Sequence, residues 1–215
     1  MLTKRLSTIV SVLPRCGVLA DVGCDHGYVG LAALERNIAQ RVIFVDVSAP
    51  SLAKARRNCP ESLKMRAEFV CRDGLGDLEV DCAVIAGMGG LEIISVLQGA
   101  KTLPNCLVLQ PMRNQRDVRI WLSKQYEIVS DRLFFDGKFY DLIVAKLNGG
   151  CNLTEQELTF GKTNLEKPSP DFVAYIEKEQ AKYKQILQQC NDEAVAKKYA
   201  EIQQIVAGIN LGVTK

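Results

Sequence analysis

A glycine-rich turn near the N-terminus holds the residues best suited to chemistry. It reads Leu19-Ala20-Asp21-Val22-Gly23-Cys24-Asp25-His26-Gly27-Tyr28-Val29-Gly30, between a strand-like run and a helix-like run. Glycines in such a turn let the backbone approach a ligand closely, and the start of a helix offers unpaired N–H groups. The dinucleotide fingerprint G-x-G-x-x-G has a glycine where this chain has Asp25. A carboxylate there would face a pyrophosphate, which argues against a nicotinamide oxidoreductase.

The acidic residues of the turn suit a ligand that carries positive charge. S-adenosylmethionine (SAM) has an α-ammonium and a sulfonium and no phosphate, so Asp21 or Asp25 is expected to pair with its ammonium, directly or through water. Asp46 ends the second strand-like run, where a carboxylate accepts hydrogen bonds from ribose hydroxyls. Asp73-Gly74 follows the third run, and a carboxylate there can accept from an adenine amino group. These positions together predict a nucleoside-cofactor site.

The prediction rests on the joint position of these residues at the ends of successive strands. Open α/β sheets bind ligands at the carboxyl ends of their strands. Asp73-Gly74 by itself is an ordinary turn signal, and Asp46 by itself can simply precede a helix. The motif Gly87-Met88-Gly89-Gly90 ends the fourth run and leaves room beside a reacting group. The residues expected to bind the cofactor are Asp21, Gly23, Asp25, His26, Gly27, Asp46, Val47, Asp73, Gly74, Gly87, Met88 and Gly89.

The first 150 residues alternate short apolar runs with stretches of helical spacing. Continuous apolar runs are typical of parallel strands that are covered on both faces. Strands are predicted at 18–22, 41–46, 67–71, 81–86 and 105–109, helices at 29–37 and 49–58, and a hairpin at 126–135 and 139–147 around an Asp-Gly turn. The predicted fold class is therefore α/β, a doubly wound parallel sheet finished by an antiparallel hairpin.

Beyond the glycines at 149–150 the strand signal ends. Thr154 and Glu157 have the spacing of a capping box that starts a short helix. Two apolar stripes follow, and Asn191-Asp192 between them is expected to turn the chain and cap the second helix, which gives an antiparallel helical hairpin. The stripes are Phe172, Ile176, Tyr183, Leu187 and Cys190, and then Val195, Tyr199, Ile202, Val206 and Ile209. We predict a SAM-binding domain at 1–150 and a helical region at 151–215.

Composition limits the classes of protein that this chain can represent. Its 215 residues are 47% hydrophobic, enough for a substantial core, which argues against a disordered chain. With 27 Lys and Arg against 25 Asp and Glu, the net charge of +2 excludes a bulk polycation but leaves room for a local basic face. The eight cysteines form no C-x-x-C pair and accompany one histidine, so we expect reduced thiols and no metal. Without a signal-peptide or membrane-span pattern, a cytoplasmic location is expected.

Four sequence blocks together resemble one family. Asp21 to Tyr28, Asp73-Gly74-Leu75, Ala86 to Gly90 and Leu109-Gln110-Pro111 are similar to the bacterial tRNA (adenine-22-N1)-methyltransferases, TrmK or YqfN. The segment 153–157 and the helical tail resemble the C-terminal helical region of that family. The resemblance implies a Rossmann-like class I methyltransferase fold, SAM as the methyl donor, and N1 of adenine 22 of tRNA as the acceptor.

Methylation of adenine N1 requires direct attack by a ring lone pair on the sulfonium methyl. N1 lies on the Watson–Crick edge, so a paired or stacked adenine must first be exposed. A carboxylate near the exocyclic amine raises the nucleophilicity of N1. Asp25 is the first candidate and His26 an auxiliary, unless both only shape the turn. Tyr28 is expected to stack on a base or to pack under the loop. Gln110 or the candidate catalytic residue Asn114 is expected to read the adenine edge, unless this segment is only a polar loop shaped by Pro111.

Basic residues recur in two places that suit contact with tRNA. Arg113, Arg116 and Arg119 are three residues apart and would form one strip on a helix. Lys4 and Arg5 add charge near the N-terminus. We expect these residues to contact phosphates, although a solvated helix face has the same pattern. The alternatives are a small-molecule methyltransferase whose tail covers the pocket, and a non-catalytic protein of this fold whose tail binds a partner.

Overall fold

The computed structural model describes residues 2–212 of the chain. Within that range a 3-10 turn at Glu61–Arg66 accompanies the helices and strands. The helices are α1 Lys4–Ser11, α2 Tyr28–Glu35, α3 Ala49–Asn58, α4 Gly90–Gln98, α5 Gln115–Leu122, α6 Glu155–Phe160, α7 Lys162–Glu166, α8 Pro170–Leu187 and α9 Glu193–Gly212. The strands are β1 Cys16–Val22, β2 Ala39–Asp46, β3 Ala67–Cys71, β4 Cys82–Met88, β5 Cys106–Pro111, β6 Tyr126–Asp136 and β7 Lys138–Leu147.

The described strands form one sheet in the order β3-β2-β1-β4-β5-β7-β6. Strands β1 to β5 are parallel, and β7 lies antiparallel between β5 and β6. The order reverses between β1 and β4, and such a switch point opens a crevice at the carboxyl ends of the strands. The predicted doubly wound sheet with its terminal hairpin is confirmed.

Helices cover both faces of the sheet because alternate strand residues point in opposite directions. On one face, Leu19, Val42 and Phe44 belong to a buried cluster with the side chains of α1 and α2. On the other face, residues such as Ala20 and Ile43 pack with α4 and α5. Strands β1, β2, β4 and β5 are therefore covered on both faces, which explains their continuous apolar runs.

Local signals in the sequence fix several element ends. Ser48 begins α3 and its hydroxyl accepts a hydrogen bond from the Ser51 N–H at 3.3 Å. Thr154 and Glu157 form the predicted capping box at α6. The predicted bounds 49–58 and 67–71 match α3 and β3. The N-terminal segment, for which no helix was predicted, forms the helix α1, with Thr3 at its N-cap.

The C-terminal helices pack on the sheet edge as well as on each other. Phe172 and Ile176 of α8 and Ile202 of α9 are buried together with Leu133 of β6 and Phe160 of α6. The N-terminal end of the predicted α8 stripe, Phe172 and Ile176, therefore packs against the edge of the sheet. It differs in detail from the prediction, since Cys190 is exposed and Ile205 is buried. Residues 213–215 of the predicted helical region lie outside the described residues.

No helix within residues 2–212 combines the length and apolarity needed to cross a membrane. The eight cysteines are all free thiols, four of them buried. In the same residue range no cluster of three or more His, Cys, Asp or Glu side chains is arranged to hold a metal ion.

Candidate active site

The loop between β1 and α2 is held in a tight, partly left-handed conformation. Gly23 and Gly27 have φ angles of +68° and +71°, and Asp25, which is not a glycine, has +45°. The Gly23 N–H donates to the Val45 carbonyl at 2.8 Å, which ties the loop to β2. A Cβ on Gly30 would lie 2.4 Å from the Phe44 ring, so glycine there lets α2 approach β2. The positive φ angles at Gly23 and Gly27, and the close approach of Phe44 to Gly30, explain why glycine is needed at these three positions.

Asp21, at the end of β1, is a buried carboxylate without an ion pair to any described residue. Its Oδ2 accepts a hydrogen bond from the Gly30 N–H at 2.9 Å, in the first turn of α2. Only 6% of the residue is exposed. Burial raises the pKa of Asp21 to about 7, and the neighbouring Asp46 carboxylate adds to this rise while the Gly30 N–H opposes it. A cationic group that enters here would stabilise the ionised form of Asp21.

Asp25 and His26 lie at the surface of the loop and can reach a bound substrate. The Asp25 carboxylate lies 3.3 Å from the Lys54 ammonium and 3.6 Å from Nε2 of His26. The His26 ring is parallel to the Tyr28 ring, with centroids 5.3 Å apart and an interplanar angle of 3°. The Asn58 side chain donates to the His26 carbonyl at 3.0 Å and holds the loop against α3. The three side chains thus form one polar and aromatic wall.

Two cavities meet at Gly23. The first, here named the β1–β4 cavity, has a volume of about 380 Å³. The second, named the β2–β3 cavity, measures about 250 Å³. The β1–β4 cavity is lined by Arg5, Leu6, Asp21, Gly23, Cys24, Asp25, His26, Tyr28, Val29, Ala86 and Gly87. The β2–β3 cavity is lined by Val22, Gly23, Val45, Asp46, Val47, Arg72, Asp73, Gly74, Met88 and Val96.

The β2–β3 cavity brings together the acidic residues that follow β2 and β3. Asp46 accepts from the N–H groups of Asp25 at 3.0 Å and Ser48 at 2.9 Å, so its two oxygens also fix the loop and the start of α3. Asp73 is exposed beside Gly74, which has a φ of +66°. All the residues that the sequence predicted here line one of the two cavities, apart from Gly27 and Gly89.

Close contacts surround the segment Gly87 to Gly90 at the end of β4. A Cβ on Gly23 would lie 2.1 Å from the Met88 side chain, so Met88 packs directly over the β1 turn. A Cβ on Gly90 would lie 2.6 Å from the Asn114 carbonyl oxygen, because the loop after β5 crosses the start of α4 there. Gly87 has a φ of +80° and faces the Arg5 guanidinium. This segment therefore places the ends of β1, β4 and β5 in close contact.

Arg5 reaches into the β1–β4 cavity from α1. Its Nη1 donates to Oε1 of Gln110 at 2.8 Å, and its guanidinium lies 5.8 Å from the Tyr140 ring centroid. No carboxylate of residues 2–212 lies within ion-pair distance of this guanidinium. Gln110 itself is fully buried, and its amide nitrogen donates to the Pro111 carbonyl at 3.3 Å. Gln110 thus orients Arg5, and its contact with the adenine edge stays a prediction.

Asn114 and Arg113 lie on the loop after β5, outside the lining of both cavities. Asn114 has a φ of +57° at the start of α5, and its Nδ2 donates to Asp117 at 3.1 Å. Arg113 is exposed and lies 3.3 Å from the Glu92 carboxylate. The structure therefore brings Asp25 and His26 together but does not place Asn114 with them.

The predicted strip of three arginines does not exist. Arg116 is exposed and pairs with Glu155 at 2.8 Å, but Arg119 is fully buried. Arg119 donates to both oxygens of Asp131, at 2.7 and 2.9 Å, and also to Asp141. Burial by itself would lower the pKa of Arg119, but the two carboxylates outweigh it and raise that pKa. Phosphate contact by Arg119 is thus a wrong prediction, because this guanidinium joins α5 to β6 and β7.

Sequence reasoning missed three residues that line or border the cavities. Arg72 lies on the β2–β3 cavity and pairs with Asp77 at 2.7 Å. Lys54 is the ion-pair partner of Asp25, and Leu6 lines the β1–β4 cavity. The helical pattern of α3 places Lys54 one turn after Ser51, on the side that meets the loop, but only the loop conformation shows that contact.

Comparisons with known proteins agree on one family. The model of the family TrmK: tRNA (adenine(22)-N(1))-methyltransferase matches residues 19–210. A tRNA (adenine(22)-N(1))-methyltransferase of Bacillus subtilis is 32% identical over 154 residues, and the alignment covers 67% of this chain and 65% of that relative.

Two solved structures resemble the whole chain. A Streptococcus pneumoniae protein, described as a candidate tRNA (m1A22) methyltransferase and solved in complex with SAM, has a TM-score of 0.84 at 28% identity; 96% of this chain and 100% of that chain are covered. The B. subtilis m1A22 tRNA methyltransferase TrmK has a TM-score of 0.76 at 26% identity, with 98% and 97% covered.

Proposed function

We propose that this protein transfers the methyl group of SAM to N1 of adenine 22 in tRNA, and the premise is its family: the chain belongs to the TrmK tRNA (adenine(22)-N(1))-methyltransferases. One observation of the structure supports the proposal above all others. Asp21, Asp46 and Asp73, at the ends of β1, β2 and β3, line two cavities that meet at Gly23. A SAM molecule has one amino-acid end and one nucleoside end, which matches this arrangement.

The residues present fit the charges of SAM. The β1–β4 cavity is lined by two carboxylates, Asp21 and Asp25, and by one guanidinium, that of Arg5. A lining with both signs of charge is complementary to a zwitterionic amino-acid end, with the ammonium near Asp21 and the carboxylate near Arg5. A phosphate in this cavity would instead be repelled by the two carboxylates. We therefore revise the role expected for Arg5 from RNA contact to cofactor contact.

The nucleoside end of SAM fits the β2–β3 cavity. Asp46 still has lone pairs for ribose hydroxyls beside its two backbone N–H partners, because a carboxylate accepts about four hydrogen bonds. Asp73 is exposed at the cavity and can accept from an adenine amino group. Val47, Met88 and Val96 supply the apolar surface that an adenine ring packs against. Loss of Asp46 would remove the hydrogen bonds that hold the β1–α2 loop and the start of α3, as well as those to the ribose.

Bound SAM supplies a sulfonium methyl group, which adenine N1 takes with its lone pair while the electrons of the broken S–C bond stay on sulfur. The adenine ring gains one positive charge in this reaction. The Asp25 carboxylate, at the wall of the β1–β4 cavity, stabilises that charge and accepts a hydrogen bond from the exocyclic amine. The His26 ring, which is stacked on the ring of Tyr28, holds the target base by contact with its face.

We assign contact with the tRNA backbone to exposed basic residues around the cavities. Lys4, Arg113 and Arg116 are exposed, and each has an ammonium or guanidinium that can neutralise a phosphate. Asn114 lies on the same loop as Arg113, and we place it near the RNA rather than near the reacting atoms. Because tRNA is the substrate, we infer that the protein works in the cytoplasm.

The direct test is methyl transfer from labelled SAM to unmodified tRNA, followed by identification of the modified nucleoside. We expect 1-methyladenosine at position 22. Asp25→Asn keeps the size of the side chain and should lower kcat by about 100-fold or more while SAM binding changes little. The matched control is Glu166→Gln, since Glu166 also forms a surface ion pair, with Lys162 at 3.8 Å, but far from the loop in sequence. Label that appears only on small metabolites would contradict the proposal, and unchanged turnover in Asp25→Asn would remove Asp25 from the mechanism.

A further inference from the structure

A groove between α1 and α2 is larger than either of the two cavities at the strand ends. Its volume is about 730 Å³, against about 380 Å³ for the β1–β4 cavity. We name it the α1–α2 groove. It is lined by Leu2, Thr3, Leu6, Ser7, Tyr28, Leu31, Ala32, Glu35, Arg36 and Asn58. Nothing in the transfer of a methyl group to N1 requires a groove of this size, so it needs a separate explanation.

Helix geometry explains why these side chains share one surface. Tyr28, Leu31, Ala32 and Glu35 are spaced at i, i+3, i+4 and i+7, which places them on one face of α2. Leu2, Thr3, Leu6 and Ser7 lie opposite them on α1 and just before it. Leu31 and Ala32 are 6% and 5% exposed and form a closed apolar floor. The rim is polar, with Asn58 and Arg36 on it.

The α1–α2 groove and the β1–β4 cavity are adjoining spaces. Both are lined by Leu6 and by Tyr28, so the Tyr28 side chain forms the boundary between them. Tyr28 is 46% exposed although it is an aromatic residue at the start of a helix. His26 stacks on this ring, and Asn58, which fixes the His26 carbonyl, lines the groove. A chain that delivers a base to the cavity can thus continue into the groove.

The rim carries one cation that has no partner of its own. Arg36 is exposed at the end of α2, and no carboxylate of residues 2–212 lies within 4 Å of its guanidinium. Glu35, the neighbouring acid, is also exposed and unpaired within the described residues. The apolar floor, the aromatic side chain and the Arg36 guanidinium suit a base whose attached phosphate lies toward Arg36 and away from the Glu35 carboxylate.

We propose that the α1–α2 groove binds the nucleotide that adjoins the target adenosine in the RNA chain, with its base against Tyr28 and its phosphate toward Arg36. This inference rests on the proposed methylation of tRNA. An adenine that enters the β1–β4 cavity loses its stacking neighbours, and unstacking costs free energy. An aromatic surface beside the cavity gives the neighbouring base a new stacking partner. The groove therefore stabilises the exposed conformation of the target.

Two serines of α1 allow a matched test. The Ser7 hydroxyl donates to the Lys4 carbonyl at 2.8 Å, and the Ser11 hydroxyl donates to the Thr8 carbonyl at 2.7 Å. Only Ser7 lines the groove. Ser7→Trp fills the groove and should raise KM for tRNA about tenfold or more, the effect of one lost base stack, with SAM affinity unchanged. Ser11→Trp should leave both values within twofold of the wild type.

If Ser7→Trp does not fold, a second variant and a crosslinking experiment test the same proposal. Arg36→Gln should raise KM for tRNA about threefold, whereas Arg132→Gln, an exposed arginine on β6, should not. In tRNA with 4-thiouridine on either side of the target adenosine, light should crosslink one of the two positions to the peptide 28–36 or to 2–7. Crosslinks confined to other peptides would overturn the proposal.

The outcomes separate this inference from the function on which it rests. A wild-type protein that methylates no tRNA removes the proposed function. A wild-type protein that methylates tRNA, together with Ser7→Trp and Ser11→Trp of equal KM, removes the groove proposal alone. A loss of SAM binding in Ser7→Trp but not in Ser11→Trp also counts against it, because the groove would then shape the cofactor site.

Discussion

Carboxylates are buried in two regions of this molecule, with opposite arrangements around them. At the end of β1, Asp21 is buried without an ion pair to any described residue and has one backbone N–H partner, from Gly30. Between the sheet and α5, Asp131 and Asp141 share the guanidinium of Arg119, which is fully buried. Burial raises the pKa of both Asp21 and Asp141, but at Asp141 the Arg119 guanidinium opposes this rise.

The difference shows which buried charge belongs to the fold and which belongs to a ligand. The Arg119 network has its own counter-ions and also reaches the carbonyls of Leu158 and Thr159, so it is complete without any other molecule. Asp21 has no cation among the described residues and borders a cavity. A buried carboxylate without a counter-ion costs stability in the free protein and gains a partner when a cationic ligand binds.

The largest expected effect comes from breaking the paired region. Arg119→Met leaves the buried Asp131 and the largely buried Asp141 without a cation, and the free energy of unfolding should fall by about 3–5 kcal/mol. Urea unfolding at neutral pH measures this loss. Arg132→Met, an exposed arginine on the same sheet edge, is the control and should change stability by less than about 0.5 kcal/mol. A loss below about 1 kcal/mol for Arg119→Met would mean that the network contributes little to the fold.

Removal of the unpaired Asp21 charge should lower SAM affinity without lowering stability, in contrast to Arg119→Met. Asp21→Asn keeps an acceptor for the Gly30 N–H but removes the charge, so SAM affinity should fall about 30-fold or more. The folded-state pKa of Asp21, about 7, is above the unfolded value of 3.8, and ionisation of Asp21 therefore destabilises the protein progressively from pH 4 to 7. The Asn variant should be at least as stable as the wild type at pH 7.5. A variant that is less stable and binds SAM normally would place Asp21 with the structural charges.

The same pKa predicts how cofactor binding depends on pH. The SAM ammonium pairs with ionised Asp21. Below about pH 7 Asp21 is mostly protonated, so it must lose a proton when SAM binds. Between pH 7.5 and 5.5 the affinity for SAM should fall with a limiting slope of about tenfold per pH unit. Calorimetric titrations over this range measure the slope. Asp21→Asn should show a flat profile, and an equal slope in that variant would assign the titration to another group.

The smallest effect is expected at the exposed counterpart of Arg119. Arg116 lies one helical turn earlier on α5 and pairs with Glu155 at the surface. Arg116→Glu should leave the unfolding midpoint unchanged and raise KM for tRNA about threefold, more at low salt, with SAM affinity unchanged. Equal losses of SAM and tRNA binding would indicate a folding defect instead. Arg132→Glu is the control for a charge reversal away from the cavities.

The sequence predicted those features that depend on local patterns. Ser48 and the pair Thr154 and Glu157 mark helix starts through hydrogen bonds that span only three residues. The strand ends followed from continuous apolar runs, and these placed the acidic residues of both cavities correctly. The split at residue 150 stays a prediction, since side chains of α6, α8 and α9 share one buried cluster with Leu133 of β6.

The errors concern residues whose environment is set by distant segments. A spacing of three residues correctly indicates a helix at Arg116 and Arg119, but it does not say which face is buried. That information lies in Asp131 and Asp141, two acids of strands β6 and β7 that are 12 and 22 residues away from Arg119 in the sequence. The contact between Gln110 and Arg5 could not be predicted for the same reason, because the two residues are 105 positions apart in the sequence.

A long-range hydrogen bond joins the tip of the β6–β7 hairpin to α1, which carries one wall of the β1–β4 cavity. Asp136 at this tip accepts the backbone N–H of Arg5 at 2.8 Å, across 131 residues of sequence. Helix α1 is synthesised before the hairpin, but the hydrogen bond between its first turn and Asp136 can form only after the hairpin has been made. We therefore expect the Arg5 and Leu6 wall of the β1–β4 cavity to reach its final position late, because it depends on contacts between residues that are far apart in the sequence. A nascent chain that ends before residue 136 would lack this wall, and we expect it to bind SAM weakly even with β1 to β5 in place.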